Sequence, residues 1–267
     1  MSDAGVDARQ KQPEFEEQFA VGRGLHAQVL EQLGLAVCGQ DLATGTIMKI
    51  EDIERQYGVS RSVIREAVRV LESMGLVSSR RRVGLLVRPP SEWNLYDPQV
   101  IRWRLASRAR ITQLRSLTEL RTAIEPEAAR LAAIRSPLSN ASHLMALAGQ
   151  LWAAGEAGDQ ELFLNLDIQF HSLVLASSGN EMFAKLNSLV TEVLAGRTNN
   201  GLMPTHPHRE ALQLHVDVAS AIQRGAPDVA QSSMLRIMQR TMHEMSSIWD
   251  SPHQSGDFIS AEVLGNR

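Results

Sequence analysis

Asp167 and His171 stand four residues apart in a stretch that reads as helix, so they share one face. A carboxylate and an imidazole placed this way can grip one divalent cation or one polar ligand. Between Ser136 and Ala184 there is no lysine or arginine, while acidic residues stand at 156, 159, 161, 167 and 181, so Asp167 has no cationic neighbour in sequence. The plainer alternative makes His171 a core histidine with its hydrogen bonds satisfied and Asp167 a surface carboxylate. Arg121 lies among Leu117, Leu120 and Ile124. A guanidinium beside an apolar stripe needs an anion, which Glu125 one turn on can supply.

A second chemistry lies near the N-terminus. Arg61, Arg65 and Arg69 recur every four residues and line one outward helix face, beside an inward stripe of Ile64, Ala67, Val68 and Leu71. From Ser60 to Pro90 seven arginines face two glutamates, a local net charge of +5 in a chain whose formal net charge is −3. That concentration suits a phosphate backbone. A solvated face with local ion pairs is the plainer reading of the arginine row alone.

The elements that must position these groups follow from periodicity and breakers. A helix runs from about Leu25 to Val37, with Val29, Leu30, Leu33 and Val37 on one side, and residues 41–45 turn. A helix from Glu51 to Tyr57 is broken by Gly58; a second runs from Arg61 to Met74, with Ser60 as N-cap and Gly75 as C-cap. Val77–Ser79 and Gly84–Val87 read as two short strands joined by Arg80, Arg81 and Arg82, with Gly84 letting one strand pass close to a neighbour. Pro89 and Pro90 end this unit. Beyond about Arg102 the pattern is helical, in segments near 110–134, 140–154, 158–177, 181–196, 208–224 and 227–249, with breaks at Pro137, Gly155, Gly179, Pro204, Pro207 and Gly225. The expected fold is therefore mainly α: a winged helix-turn-helix with a two-stranded β wing, then an all-helical bundle of about six helices. The domains expected are a tail over 1–20, a DNA-binding domain over 21–90, a linker over 91–101, an effector-binding domain over 102–250 and a polar tail over 251–267.

Composition is compatible with this plan. The 267 residues allow two modest cores, and 43% apolar with 21% charged residues is ordinary for a globular chain. Aromatic residues are 4%, so the bundle core must rely on Leu, Ala, Ile, Val and Met. Cys38 is the single cysteine, which excludes an internal disulfide and reads as a small buried hydrophobe. There is no basic-then-apolar leader and no apolar run near 18 residues, so a cytoplasmic protein without a membrane span is expected.

Gly58-Val59-Ser60-Arg61-Ser62-Val63-Ile64-Arg65-Glu66-Ala67 followed by Leu71-Glu72-Ser73-Met74-Gly75-Leu76-Val77 resembles the DNA-binding domain of the GntR superfamily, over most of residues 25–88. The resemblance implies that Ser60 starts the recognition helix, that Arg61, Arg65 and Arg69 touch base edges or nearby phosphates, and that Arg81 and Arg82 reach the minor groove. One segment departs: where the family has Leu-Pro-Ser-Glu-Arg-Glu-Leu, this chain has Ile47-Met48-Lys49-Ile50-Glu51-Asp52-Ile53, with Glu51 at the arginine and Lys49 nearby.

The helical remainder resembles the ligand-binding domain of the FadR-type branch, the FCD domain, through residues 119–129, through Asp167-Ile168-Gln169-Phe170-His171 and through Leu212-Gln213-Leu214-His215. The 93–103 segment, Trp93 to Trp103, is similar to that of the galactonate and sugar-acid group. The resemblance implies an effector cavity formed by Arg121, Asp167, His171 and His215, and a cation held by Asp167, His171 and His215. Ile237 occupies the place of the fourth ligand, a histidine in metal-bearing relatives, and His243 lies six residues on. Mixed nitrogen and oxygen ligands suit zinc, nickel or manganese. His206, His208 and Arg209 fall in a Pro-rich connection and read as surface.

The resemblance thus implies a regulator that binds double-stranded operator DNA as a homodimer and responds to a small hydroxylated carboxylic acid, as a repressor of a galactonate-like catabolic operon. Another small carboxylate or an acyl ligand is the alternative effector. A metal-dependent enzyme fused to a DNA-binding head is a further alternative, but no G-x-S-x-G or H-E-x-x-H spacing and no separate general base supports catalysis.

Overall fold

The computed structural model describes residues 24–249. The tails expected over 1–20 and 251–267 lie outside them.

The first unit is built on α1 (Leu25–Cys38), α2 (Ile50–Tyr57) and α3 (Arg61–Ser73). Gly58, at φ +61°, closes α2 in the left-handed region and turns the chain into α3. Ser60 stands at the N-cap of α3 with extended backbone, but its Oγ pairs with Ser62 Oγ at 2.9 Å and caps no backbone N–H. Val29, Leu33 and Val37 of α1 meet Ile64, Val68 and Leu71 of α3 in one core that also takes in Ile53, Leu76, Leu85 and Val87.

The wing has three strands where sequence spacing gives two. Strands β2 (Val77–Arg80) and β3 (Gly84–Val87) pair antiparallel, and the two-residue β1 (Ile47–Met48) adds to the other edge of β3, in the order β1-β3-β2. Two residues carry no alternation, so β1 exists through its tertiary pairing with Leu85 and Leu86 rather than through local preference. Gly84, at φ +127°, is needed here: a Cβ would lie 2.5 Å from the Met48 carbonyl oxygen. At the wing tip Arg82 has φ +67°, unusual for a residue with a side chain.

A short 3-10 helix, Pro90–Glu92, leads to α4 (Pro98–Leu105), which crosses the end of the segment read as a linker. Pro98 suits the first turn, and Asp97 caps it by accepting from Gln99 N at 2.8 Å. Val100 and Trp103 of α4 belong to the first core, Ile101 and Leu105 to the second. Gly34 of α1 faces the Trp103 ring, where a Cβ would stand 2.5 Å from ring carbons.

The second unit comprises α5 (Arg110–Arg135), α6 (Leu138–Ala157), α7 (Gln160–Ser177), α8 (Glu181–Lys185), α9 (Asn187–Asn199), α10 (Arg209–Gln223) and α11 (Pro227–Trp249). These are seven helices, because the segment expected at 181–196 divides at Leu186 into α8 and α9. Gly155 is no break: α6 continues to Ala157, and left-handed Gly158 ends it. The core is aliphatic, as the low aromatic content requires, with Phe170 of α7 fully buried at its centre. Among the described residues no helix is long and apolar enough to cross a membrane.

Candidate functional site

On the first unit, Arg61, Arg65 and Arg69 all project from α3 as exposed side chains, and Arg80, Arg81 and Arg82 are exposed at the wing. Arg61 donates from Nη2 to Glu51 Oε1 of α2 at 2.9 Å, and Arg69 pairs with Glu66 at 2.5 Å. Among the described residues Arg65, Arg81 and Arg82 form no ion pair, so their charge is free for a polyanion.

In the second unit a cavity of about 520 Å³, including its open mouth, lies between α5, α7, α9, α10 and α11. Arg121, Asp167, His171 and His215 all line it, each at most 5% exposed, and Ile237 forms part of the wall. Asp167 is thus no surface carboxylate. The i, i+4 spacing aligns Asp167 and His171 along α7, and His215 comes across from α10.

The polar groups of this floor are tightly ordered. His171 Nε2 stands 3.4 Å and His215 Nε2 3.2 Å from the same oxygen, Asp167 Oδ1. His171 Nδ1 meets Glu125 Oε2 at 2.5 Å, and His215 Nδ1 donates to the Ala211 carbonyl at 2.7 Å. Both rings therefore turn Nε2 toward Asp167. Glu125 also accepts from Arg121 Nε, with Nη2 at 3.4 Å, so the i, i+4 pairing on α5 is realised at 2% and 1% exposure.

Electrostatics follow from this burial. Desolvation opposes the charge on Glu125, but Arg121 and His171 outweigh it and hold the carboxyl down at about 2. Asp167, also opposed by burial, is held well below the usual carboxylate range by His171 and His215. Burial works against a proton on His171, yet Glu125 and Asp167 raise it to about 9.

The three ligand atoms of Asp167, His171 and His215 lie within 4.8 Å of one another. Nitrogen and oxygen ligands each about 2.1 Å from one ion stand roughly 3.0–3.4 Å apart, which matches the two distances to Asp167 Oδ1. His215 Nε2, buried beside Asp167 Oδ1, makes no hydrogen bond with it and would present its lone pair to a cation placed between them. Nδ1 contacts to a carboxylate and to a backbone carbonyl are the arrangement that fixes histidine ligands. This buried cluster is compatible with a divalent metal. Ile237 brings no fourth ligand, and His243 is exposed and absent from the wall.

Sequence spacing missed the mouth of the cavity. Arg197 of α9 lines it at 4% exposure; its Nη2 reaches Glu244 Oε2 at 3.4 Å and its Nε has no partner. Burial and the nearby Arg121 lower its pKa, against Asp167 and Glu244. Arg240 and Glu244 of α11 complete the rim, Arg240 also bonding Glu210 at 3.2 Å. Nothing local marks Arg197, because the approach of α9 to α11 is tertiary. His208 reaches the rim while capping α10, accepting from Glu210 N at 3.3 Å; His206 and Arg209 are exposed, as read, with Arg209 paired to Glu156.

A basic winged reader joined to a helical bundle with a buried polar cavity defines a ligand-responsive DNA-binding regulator. Residues 25–87 match the family described as bacterial regulatory proteins, gntR family, and residues 116–240 match the FCD domain. The chain belongs to the GntR family of transcription regulators, in its FCD-bearing form, and is not an enzyme. It is 29% identical over 178 residues to the HTH-type transcriptional regulator YieP of Escherichia coli, covering 66% of this chain and 77% of that one. It is 27% identical over 196 residues to the galactonate operon transcriptional repressor of Escherichia coli, covering 72% and 84%. A solved structure titled for Lar, which controls the Listeria monocytogenes agr system, shares the fold with a TM-score of 0.57 at 15% identity, covering 85% of this chain and 99% of that one.

Proposed function

We propose that the protein represses a sugar-acid catabolic operon, binding operator DNA as a homodimer in the cytoplasm and releasing it when a galactonate-like acid enters the cavity. The observation that carries this reading is the pairing, in one cavity, of the partnerless Arg197 Nε with the Asp167, His171 and His215 cluster. A guanidinium takes a carboxylate, and a cation held by the cluster would supply Lewis-acid attraction for a hydroxylated acid. Arg121 keeps Glu125 as its partner and adds positive potential behind the site. The likeness to a galactonate operon repressor supports the same class of ligand.

The route to DNA runs along α9. Arg197 is preceded by Gly196, where a Cβ would meet Leu105 of α4 at 2.7 Å, and Glu192 binds Arg102 of α4 through 2.6 and 3.2 Å contacts. A ligand that draws Arg197 inward therefore shifts α9 against α4, and α4 packs on α1 of the reader. Occupancy then biases the placement of two heads on two half-sites.

The test is calorimetric titration of chelator-treated protein with D-galactonate and with zinc, nickel or manganese, in both orders. Each should tighten the other, and His171→Ala and Arg197→Gln should abolish the acid response while leaving operator binding intact. If no acid binds wild type, or both variants respond as wild type does, the effector site is wrong. A second reading, another small carboxylate or an acyl ligand, draws on the apolar wall of Phe163, Leu194, Met203 and Met238; tighter binding of such a ligand than of galactonate selects it. Sedimentation should give about twice the 29.5 kDa chain mass, and a monomer both free and on DNA contradicts the dimer.

A further inference from the structure

We infer that Glu51 and Arg61 act as one specificity-determining unit that reads a G·C base pair, Arg61 taking the guanine and Glu51 the amino group of its cytosine. The inference rests on α3 being the DNA-reading helix.

Glu51 is anomalous where it stands. The α3 and wing surface carries a run of arginines suited to phosphate, yet this carboxylate, in the first turn of α2, reaches across the turn to the first residue of α3. Its partner Arg61 occupies the end of α3 that enters a groove first, since N-terminal residues of a recognition helix meet base edges. Fold stability does not explain the pair. Both side chains are more than half exposed, at 55% and 57%, and exposed ion pairs contribute little. Near phosphates an acidic group is also repelled. A carboxylate is favourable on such a surface where it meets a hydrogen-bond donor, and the major-groove edge supplies one in the cytosine N4 amino group.

The geometry of the pair matches one base pair. Arg61 Nη2 and Glu51 Oε1 lie side by side, a donor and an acceptor 2.9 Å apart. In a G·C pair the O6 acceptor and N4 donor are themselves joined by a hydrogen bond, so they too are about 3 Å apart. The remaining N–H groups of Arg61 can reach guanine N7 and O6, and Glu51 Oε2, without a hydrogen bond among the described residues, can accept from cytosine N4. An A·T pair at this position presents the adenine N6 donor to Arg61 and the thymine O4 acceptor to the carboxylate, and is rejected. By contrast Arg65, one turn on, has no acidic partner and is free to bind without this constraint.

In vitro selection from a random-sequence duplex library tests the unit, using the full chain and the variants Glu51→Gln, Arg61→Lys and Arg65→Ala. Wild type should select a fixed G·C pair at one position of each half-site. With Glu51→Gln, discrimination at that pair should fall about tenfold, affinity for non-selected DNA should rise, and the salt dependence should steepen as a negative charge is lost. Arg61→Lys keeps the charge and loses the bidentate contact, so it should relax the same position while holding random DNA. Glu51→Gln selecting the wild-type motif with equal strength overturns the inference, as does an equal loss on every sequence, or a wild type that selects no motif. If neither Arg61→Lys nor Arg65→Ala changes affinity or selection, the assignment of α3 as the reading helix fails instead. Both glutamate and arginine are exposed, and an unchanged melting temperature in each variant keeps folding out of the comparison.

Discussion

Glu125→Gln removes a charge that two buried cationic groups share. Glu125 and Arg121 are 1% and 2% exposed, and His171 contacts the same carboxylate. Solvent cannot screen what the substitution leaves behind. Removing one partner of a buried pair costs about 3–5 kcal/mol. Glutamine keeps the shape and one acceptor oxygen, so the lower end, about 3 kcal/mol, is expected. For a domain of 150–250 residues each kcal/mol moves the midpoint by about 2–4 °C, so the melt should fall by about 6–12 °C. The same carboxylate orients the His171 ring through Nδ1, so zinc affinity should drop about 10- to 100-fold. Glu127→Gln, two residues on, is the control: its pair with Arg130 is solvent-exposed and screened, so its loss should leave the melt close to that of wild type. Calorimetric melts and zinc titrations of wild type and both variants decide the matter. A Glu125→Gln protein that melts within about 2 °C of wild type and binds zinc equally would refute the reasoning.

Ile237→His offers a fourth ligand from the cavity wall, and competition with a chelator should show tighter binding of zinc; equal affinity would mean that the α11 position cannot reach the cluster. Arg81→Ala and Arg82→Ala remove wing charges without ion-pair partners, so operator affinity should fall on all sequences and the slope of log K against log salt should flatten by about 0.9 per lost phosphate contact; fluorescence anisotropy at several salt concentrations reads this, and unchanged slopes would exclude the wing from the contact. Burial, against the nearby Arg104, raises the Cys38 thiol to about 12, so native protein should resist iodoacetamide at pH 8 and react only in denaturant. The same shift means that stability declines as pH rises from about 9, where the unfolded thiol ionises, toward 12, where the folded one does.

Legibility in the sequence tracked how local each cause is. Gly58 and the arginine spacing of 61, 65 and 69 mark the reader because turn and face are set within a few residues. Asp167 and His171 were visible by helix periodicity, and Glu125 by its i, i+4 relation to Arg121. Their convergence was not: Glu125 joins α5 to α7, and His215 joins α10 to α7, through packing that no spacing encodes. His215 came instead from resemblance. Strand β1 escaped because pairing with β3 makes it a strand. The division at Leu186 has no glycine or proline to announce it, and Gly155, a formal helix breaker, stays helical with Leu212 packed close against it. Arg197 resembled any other helix arginine until α11 closed over it.

Helix α4 gives the protein a constraint of inheritance. Successive residues serve different cores, Val100 and Trp103 one, Ile101 and Leu105 the other, and Gly34 is small because the Trp103 ring lies against it. A graft of this sensor onto a foreign head would have to carry α4 whole, together with a matching hollow in α1. Recombination at the chain's apparent seam leaves either an indole without its socket or a socket without its indole. Head and sensor therefore share one junction, and exchanging either without it would unpack both cores.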